Sequence, residues 1–264
     1  MRHFKARLPA ELTDRVIDHL HTNQPALRTC SLVCKDWLPA SRYHLFQTGI
    51  CWTDRTIHTF VELLSSPAST FVGNALCVRV VPDAVKISEE VPASSIFDTI
   101  SRHLFKLTIK SLSLISVEWD IKDEKQEDIF GYFATIPALK LLDVTFSAPS
   151  QVIKFITSFL SLERLSLCDI IFETHDALPH FTLSPLLHTV DLTLRDRFTF
   201  WFLSALQSHP LEYLSISNIE DGNMDVIRHI LQSSGPSLHS LTLLSLNLYL
   251  GTYYLVMLVF KLIV

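Results

Sequence analysis

Apolar and polar positions along this chain follow two different periods, and the switches between them predict its elements. In residues 8–46 the period is helical. Pro9 brings the fixed φ of an opening helical turn, and Leu12, Val16 and Leu20 recur at four-residue spacing, which predicts a first helix with one buried stripe. Pro25 opens a second helix in which Leu27, Cys30, Ser31 and Cys34 keep the i, i+3, i+4, i+7 spacing of an inward face. Leu32 falls well away from that stripe, while Val33 and Trp37 widen it on the opposite side. Pro39 is expected to stop this helix, because it lacks an N–H and clashes with the preceding turn, and a short third helix follows to about Phe46.

Past residue 70 a hexad, L-x-x-L-x-L with Val or Ile allowed, repeats. It is read at Leu104/Leu107/Ile109, Leu139/Leu142/Val144, Leu162/Leu165/Leu167, Leu187/Val190/Leu192, Leu211/Leu214/Ile216 and Leu238/Leu241/Leu243, with a weaker copy at Ala75/Val78/Val80. Successive starts after Leu104 lie 35, 23, 25, 24 and 27 residues apart, near the period of leucine-rich repeats. Between hexads the period changes from two to 3.6. Val152, Ile156, Phe159 and Leu160 form one helical stripe, Met224, Ile227, Ile230 and Leu231 another closed by Gly235-Pro236, and Phe198 to Gln207 reads as a third helix. A strand and helix pair with an apolar face it cannot bury alone is expected to stack on its neighbours. The predicted fold class is therefore α/β, three N-terminal helices followed by an irregular leucine-rich-repeat-like solenoid. Irregularity is expected because the ninth position of the repeat, where Asn or Cys is common, holds Ser147, Ile170, Arg195, Ile219 and Leu246. The long interval from Leu107 to Leu139, with its charged stretch Asp120 to Asp128, reads as a surface loop before its helix.

About forty residues cannot bury enough apolar surface to stand alone, so the surplus apolar faces of the first three helices read as docking surfaces. Leu8-Pro9-x-x-Leu12, Leu20 and the run Ser31-Leu32-Val33-Cys34-Lys35-x-Trp37 resemble the F-box. The resemblance covers about fifty residues of the 264, and Phe46 stands where many members have Trp. It implies domains at 1–50, an F-box, and 51–264, a repeat region for substrate recognition. The whole chain resembles fungal F-box proteins with degenerate repeats. By that resemblance Leu8, Pro9, Leu12, Val16, Leu32, Val33, Cys34, Lys35 and Trp37 would bind a Skp-family linker subunit, and through it a cullin, in an SCF-type (Skp, cullin, F-box) ubiquitin ligase. The repeats would hold a protein substrate whose identity the sequence does not give.

Composition narrows the function classes. Hydrophobic residues make up 48% and charged residues 19%, a globular composition. Residues 1–50 hold seven Lys or Arg against four Asp or Glu, net +3, so the remainder carries −8 of the total −5. No basic stripe suited to nucleic acid is present. Five scattered cysteines make no disulfide framework, and the start MRHFKARLPAEL has no apolar signal region, so the expected compartment is the cytoplasm, the nucleus or both. The tail Leu241 to Val264 is almost wholly apolar and long enough for a membrane span. Two readings stay open, a truncated last repeat or a membrane tail anchor; the absence of a flanking basic cluster favours the first.

In the hexads the intervening residues point away from the core. The central row is predicted as Thr108, Asp143, Ser166, Asp191, Ser215 and Thr242, flanked by Lys106, Lys110, Leu141, Thr145, Arg164, Cys168, Tyr213 and Ser217. The candidate substrate face is this small, polar, slightly acidic strip, in particular Thr108, Asp143, Ser166, Asp191, Tyr213, Ser215 and Thr242. The alternative is a solvated sheet face with loops elsewhere making the contacts. Cys30 and Cys34, with His19 and His21 near in sequence, read as small core residues rather than metal ligands. His175, Asp176 and His180 lack the H-E-x-x-H spacing, and no phosphate-binding or nucleophile motif occurs. The expectation is no cofactor, no metal and no enzyme activity. A substrate-recognition adaptor is the leading function, with an interaction scaffold lacking a ligase role, or a membrane-anchored F-box protein, as alternatives.

Overall fold

The computed structural model describes residues 9–47, 50–66, 75–82, 91–120, 129–174, 181–193, 197–206, 209–219, 224–234, 237–249 and 252–261. Three helices come first, α1 (Ala10–His19), α2 (Gln24–Val33) and α3 (Leu38–Gln47). Pro9 is the N-cap of α1, and the Asn23 side chain caps α2 by accepting from the Ala26 N–H at 3.1 Å. Asp18 on α1 meets His44 on α3 at 2.7 Å. Pro39 does not end α2, which stops at Val33; it lies in the first turn of α3, where its missing N–H costs nothing.

Strands and helices then follow: β1 (Ile50–Trp52), α4 (Asp54–Ser65), β2 (Ala75–Val80), β3 (Val91–Pro92), α5 (Ala93–Ile100), β4 (Thr108–Trp119), α6 (residues 129–133), β5 (Ala138–Phe146) and α7 (Pro149–Thr157). The rest are β6 (Arg164–Phe172), β7 (Thr189–Thr193), α8 (Arg197–Ala205), β8 (Tyr213–Ser217), α9 (Met224–Ser234), β9 (Ser240–Tyr249) and β10 (Thr252–Lys261). All strands join one sheet in the order β1-β2-β4-β5-β6-β7-β8-β9-β10, with β3 beside β4. Among the described residues every pairing from β1 to β9 is parallel, and only β10 returns antiparallel on β9.

This corrects the expected fold of a three-helix module followed by a repeat solenoid. The chain is one α/β structure built on a single, predominantly parallel sheet, and the sheet begins directly after α3 with β1. Phe46 of α3 and Ile50 of β1 pack against the same core that runs through to Leu241. The sequence boundary at residue 50 arose because β1 is only three residues long and contains no hexad, so its membership of the sheet left no periodic trace. The interval between Leu107 and Leu139 is likewise no simple loop, since it holds β4 and α6; residues 121–128 lie outside the described residues.

One face of the sheet and the apolar stripes of α4, α5 and α6–α9 form the core. Its densest part is aromatic. Phe155 on α7 lies 4.3 Å from Trp119 between ring centroids and 5.6, 6.2 and 5.1 Å from Phe133, Phe146 and Phe159. Phe198 and Phe202 on α8 pack with Phe172 and Phe181 in a second group. The stripe predicted for α7 holds at Val152, Ile156 and Phe159, whereas Leu160, past the helix end, is exposed. Gly235-Pro236 lie outside the described residues.

The buried alternation shifts phase within β4, β5 and β6. Leu112 and Leu114, Leu139 and Leu141, and Leu165 and Leu167 are buried, and so are Val117 and Trp119, Val144 and Phe146, and Ile170 beyond them. Between the two segments stand Ser116, Asp143 and Asp169, opposite one another in the sheet, with φ of 51°, 55° and 52°. Asn218 at the end of β8 repeats the feature at 60°. A single left-handed residue advances the two-residue period by one, so both segments turn their large side chains to the helices. Asp and Asn tolerate this conformation better than most side chains. Ser116 Oγ donates to Asp143 Oδ2 at 2.9 Å and ties two of these positions together.

Candidate functional site

Two surfaces present themselves, one on the first helices and one on the sheet. On α1 the buried residues are Thr13 and Ile17. The stripe of Leu12 and Val16, predicted to be buried, is instead 47% and 46% exposed. Four-residue spacing defines a face but not which face turns inward, and here Ile17 takes the inner place. On α2, Leu27 and Cys30 are buried as expected, Ser31 is half-buried and Cys34 is exposed, because the helix ends at Val33 and the chain turns extended at Cys34. Leu32 is 86% exposed and Val33 58%. Pro9 and Lys35 are exposed, and Trp37 is half-buried. Leu8 lies outside the described residues.

On the sheet, register decides which residues share a row. Ser166, Asp191, Ser215 and Thr242 are successive partners across β6 to β9, as the hexads predicted. The other two predicted members are displaced. On β5 the partner of Ser166 is Lys140, and on β4 the partner of Lys140 is Ser113. Thr108 pairs with Ala75 far down the strand, and Asp143 occupies the left-handed position. Leu141, predicted to flank the strip, is fully buried. In β4 and β5 leucines are so dense that two frames satisfy the hexad. The structural frame runs through Ile109/Leu112/Leu114 and Ile136/Leu139/Leu141, whereas the sequence frame of β4 ends at Ile109, where the structural one begins, and that of β5 straddles the phase shift at Asp143.

The correction changes the charge of the surface. Continued to β2, the row reads Arg79, Ser113, Lys140, Ser166, Asp191, Ser215, Thr242. Arg164, Thr189 and Tyr213 form the neighbouring row, with Tyr213 exposed and its ring 6.2 Å from that of His239. Ser166 Oγ donates to Asp191 Oδ2 at 3.2 Å. A depression of about 190 Å³ opens between β4 and β7, lined by Leu112, Ala138, Leu139 and Leu165 as well as by Lys140, Arg164, Asp191, Ser111, Ser113, Ser166 and Thr189, so that most of its wall is carbon with the charged groups at its rim. At the other border Thr193 Oγ1 donates to Cys168 Sγ at 3.3 Å and meets Ser217 Oγ at 2.9 Å, a cross-strand hydroxyl line.

Among the described residues no three His, Cys, Asp or Glu side chains cluster as metal ligands would. His175, Asp176 and His180 lie outside them. Residues 240–249 and 252–261 form the antiparallel pair β9 and β10, and no helix among the described residues is long and apolar enough to cross a membrane. No protein-family model matches the chain, and no curated protein matches it.

Proposed function

We propose that the chain is a non-enzymatic substrate-recognition adaptor of an SCF-type ubiquitin ligase. Helices α1 and α2 dock a Skp-family linker subunit, which brings in the cullin, and the open face of the sheet holds a protein target. The observation that carries this reading is the outward Leu32, 86% exposed, beside the exposed Val33. Aliphatic side chains left in water forgo roughly 25 cal/mol for each Å² that a partner could cover, and an exposed group of them marks an interaction surface. Leu12, Leu32 and Val33 are also positions at which the sequence resembles the F-box. The sheet supports the second half of the reading, because parallel sheets ordinarily have both faces covered and this one leaves a polar face open.

In this role the chain makes and breaks no bonds. It raises the local concentration of the target at the ligase, whose other subunits transfer ubiquitin. Co-purification with a Skp-family linker tests the docking half. The wild-type chain is expected to retain the linker, and Leu32→Asp with Val33→Asp to lose it, since a few buried anchors dominate such contacts. Equal recovery of linker with wild type and the double variant, or none with wild type, overturns the reading.

A further inference from the structure

The open face of the sheet is polar but unevenly charged. Its cations gather on one half: Arg79 on β2, Lys140 on β5 and Arg164 on β6 are exposed, and none of these side chains has an ion-pair partner among the described residues. One carboxylate, Asp191, lines the same depression as Lys140 and Arg164, and the others lie further along the strands. Asp191 stands two strands from Lys140 and already accepts from Ser166, while Asp143 and Asp169 sit at the left-handed positions further along β5 and β6.

Arg164 pairs with Ala138, so it lies one strand over and two residues back from Lys140. With strands about 4.8 Å apart and a rise of about 3.3 Å per residue, the two Cα atoms stand about 8 Å apart. Alternate residues of an extended peptide share a side at about 6.6 Å, a spacing two flexible cationic side chains reach together. The depression they line crosses four strands, β4 to β7, roughly 14 Å in all, which is longer than one small anion needs. Ser111, Ser113 and Thr189 add hydroxyl donors along its floor.

We propose that this depression binds an extended acidic peptide with carboxylates at alternate positions. The Arg164 guanidinium takes one carboxylate as a two-pronged donor and the Lys140 ammonium takes the next. This rests on the open face being the target surface, and not on docking of the linker.

The test is fluorescence anisotropy of a labelled twelve-residue peptide with Glu at alternate positions, and of its Gln counterpart, titrated with the full chain. The Glu peptide is expected to bind at least tenfold more tightly than the Gln peptide and to weaken as salt rises. Lys140→Ala with Arg164→Ala should cost at least a further tenfold, with an unchanged circular dichroism spectrum. No binding of the Glu peptide to wild type, equal binding of both peptides, or an undiminished affinity of the double variant overturns the proposal. So does displacement of the peptide by equimolar inorganic phosphate. Target proteins captured equally by wild type and double variant, with no acidic-peptide binding by either, would leave target capture standing and sink only the acidic assignment.

Discussion

The first three helices and the sheet handle apolar side chains in opposite ways. In the sheet, most leucines of β4–β8 face the helices and the outward positions hold mainly Ser, Thr, Lys, Arg and Asp, with Leu142, Ile171 and Tyr213 as apolar exceptions; in α1 and α2, Leu12, Val16, Leu32 and Val33 face outward. The sheet therefore covers its own core and leaves polar groups in water. The helices leave apolar side chains in water. A partner for the first surface would be recognised through hydrogen bonds and charge, and one for the second through apolar contact.

The sharpest break in this contrast comes from the core. Phe155→Ala removes the ring at the centre of the aromatic group and is expected to cost about 3–5 kcal/mol in urea denaturation. Because α3 and β1 share that core, helices and sheet should lose structure at one urea concentration; separate transitions would show two independent units. Asp143→Val forces a β-branched residue into a left-handed backbone and should cost about 1–3 kcal/mol, whereas Asp143→Gly should be nearly neutral in the same measurement. Removing the α2 cap by Asn23→Ala should cost about 1 kcal/mol, which thermal unfolding would read. The smallest effect sharpens the comparison most. Leu32→Asp should change stability by no more than about 0.5 kcal/mol while abolishing linker binding, and a large loss of stability would mean that Leu32 serves the fold.

Individual elements of this structure, but not its single parallel sheet, were legible in the sequence. The helices α1, α2, α7, α8 and α9 were visible from their 3.6-residue stripes, and the frame of β6 to β9 from hexads in which leucine is sparse enough to fix one register. Where leucine is dense, as in Ser111–Ser116 or Ala138–Asp143, the pattern admitted two frames, and the backbone conformation that chooses between them leaves no mark in hydrophobicity. For the same reason the hydrophobic pattern places Asp143 instead of Lys140 in the row and makes a face with a cationic half look slightly acidic. A search for Asp or Asn at the eighth position of the structural frame would have found Asp143, Asp169 and Asn218. On α1, spacing identified a stripe but could not say that Ile17 rather than Leu12 and Val16 would be covered. β1 was too short to register at all.

The left-handed residues also set a rule of parity for the chain. Each strand that carries one is written in two halves whose odd and even places have exchanged roles, and Asp143 is the step at which they exchange. Deleting that one residue would join the halves in a plain alternation that still turns Val144 and Phe146 to the helices, whereas deleting Thr145 alone would turn Phe146 outward. Loss of two residues beyond the step would shorten the strand but leave every remaining side chain on its own side. The protein should therefore bear a two-residue deletion in the far half of β5 better than the loss of Thr145 alone.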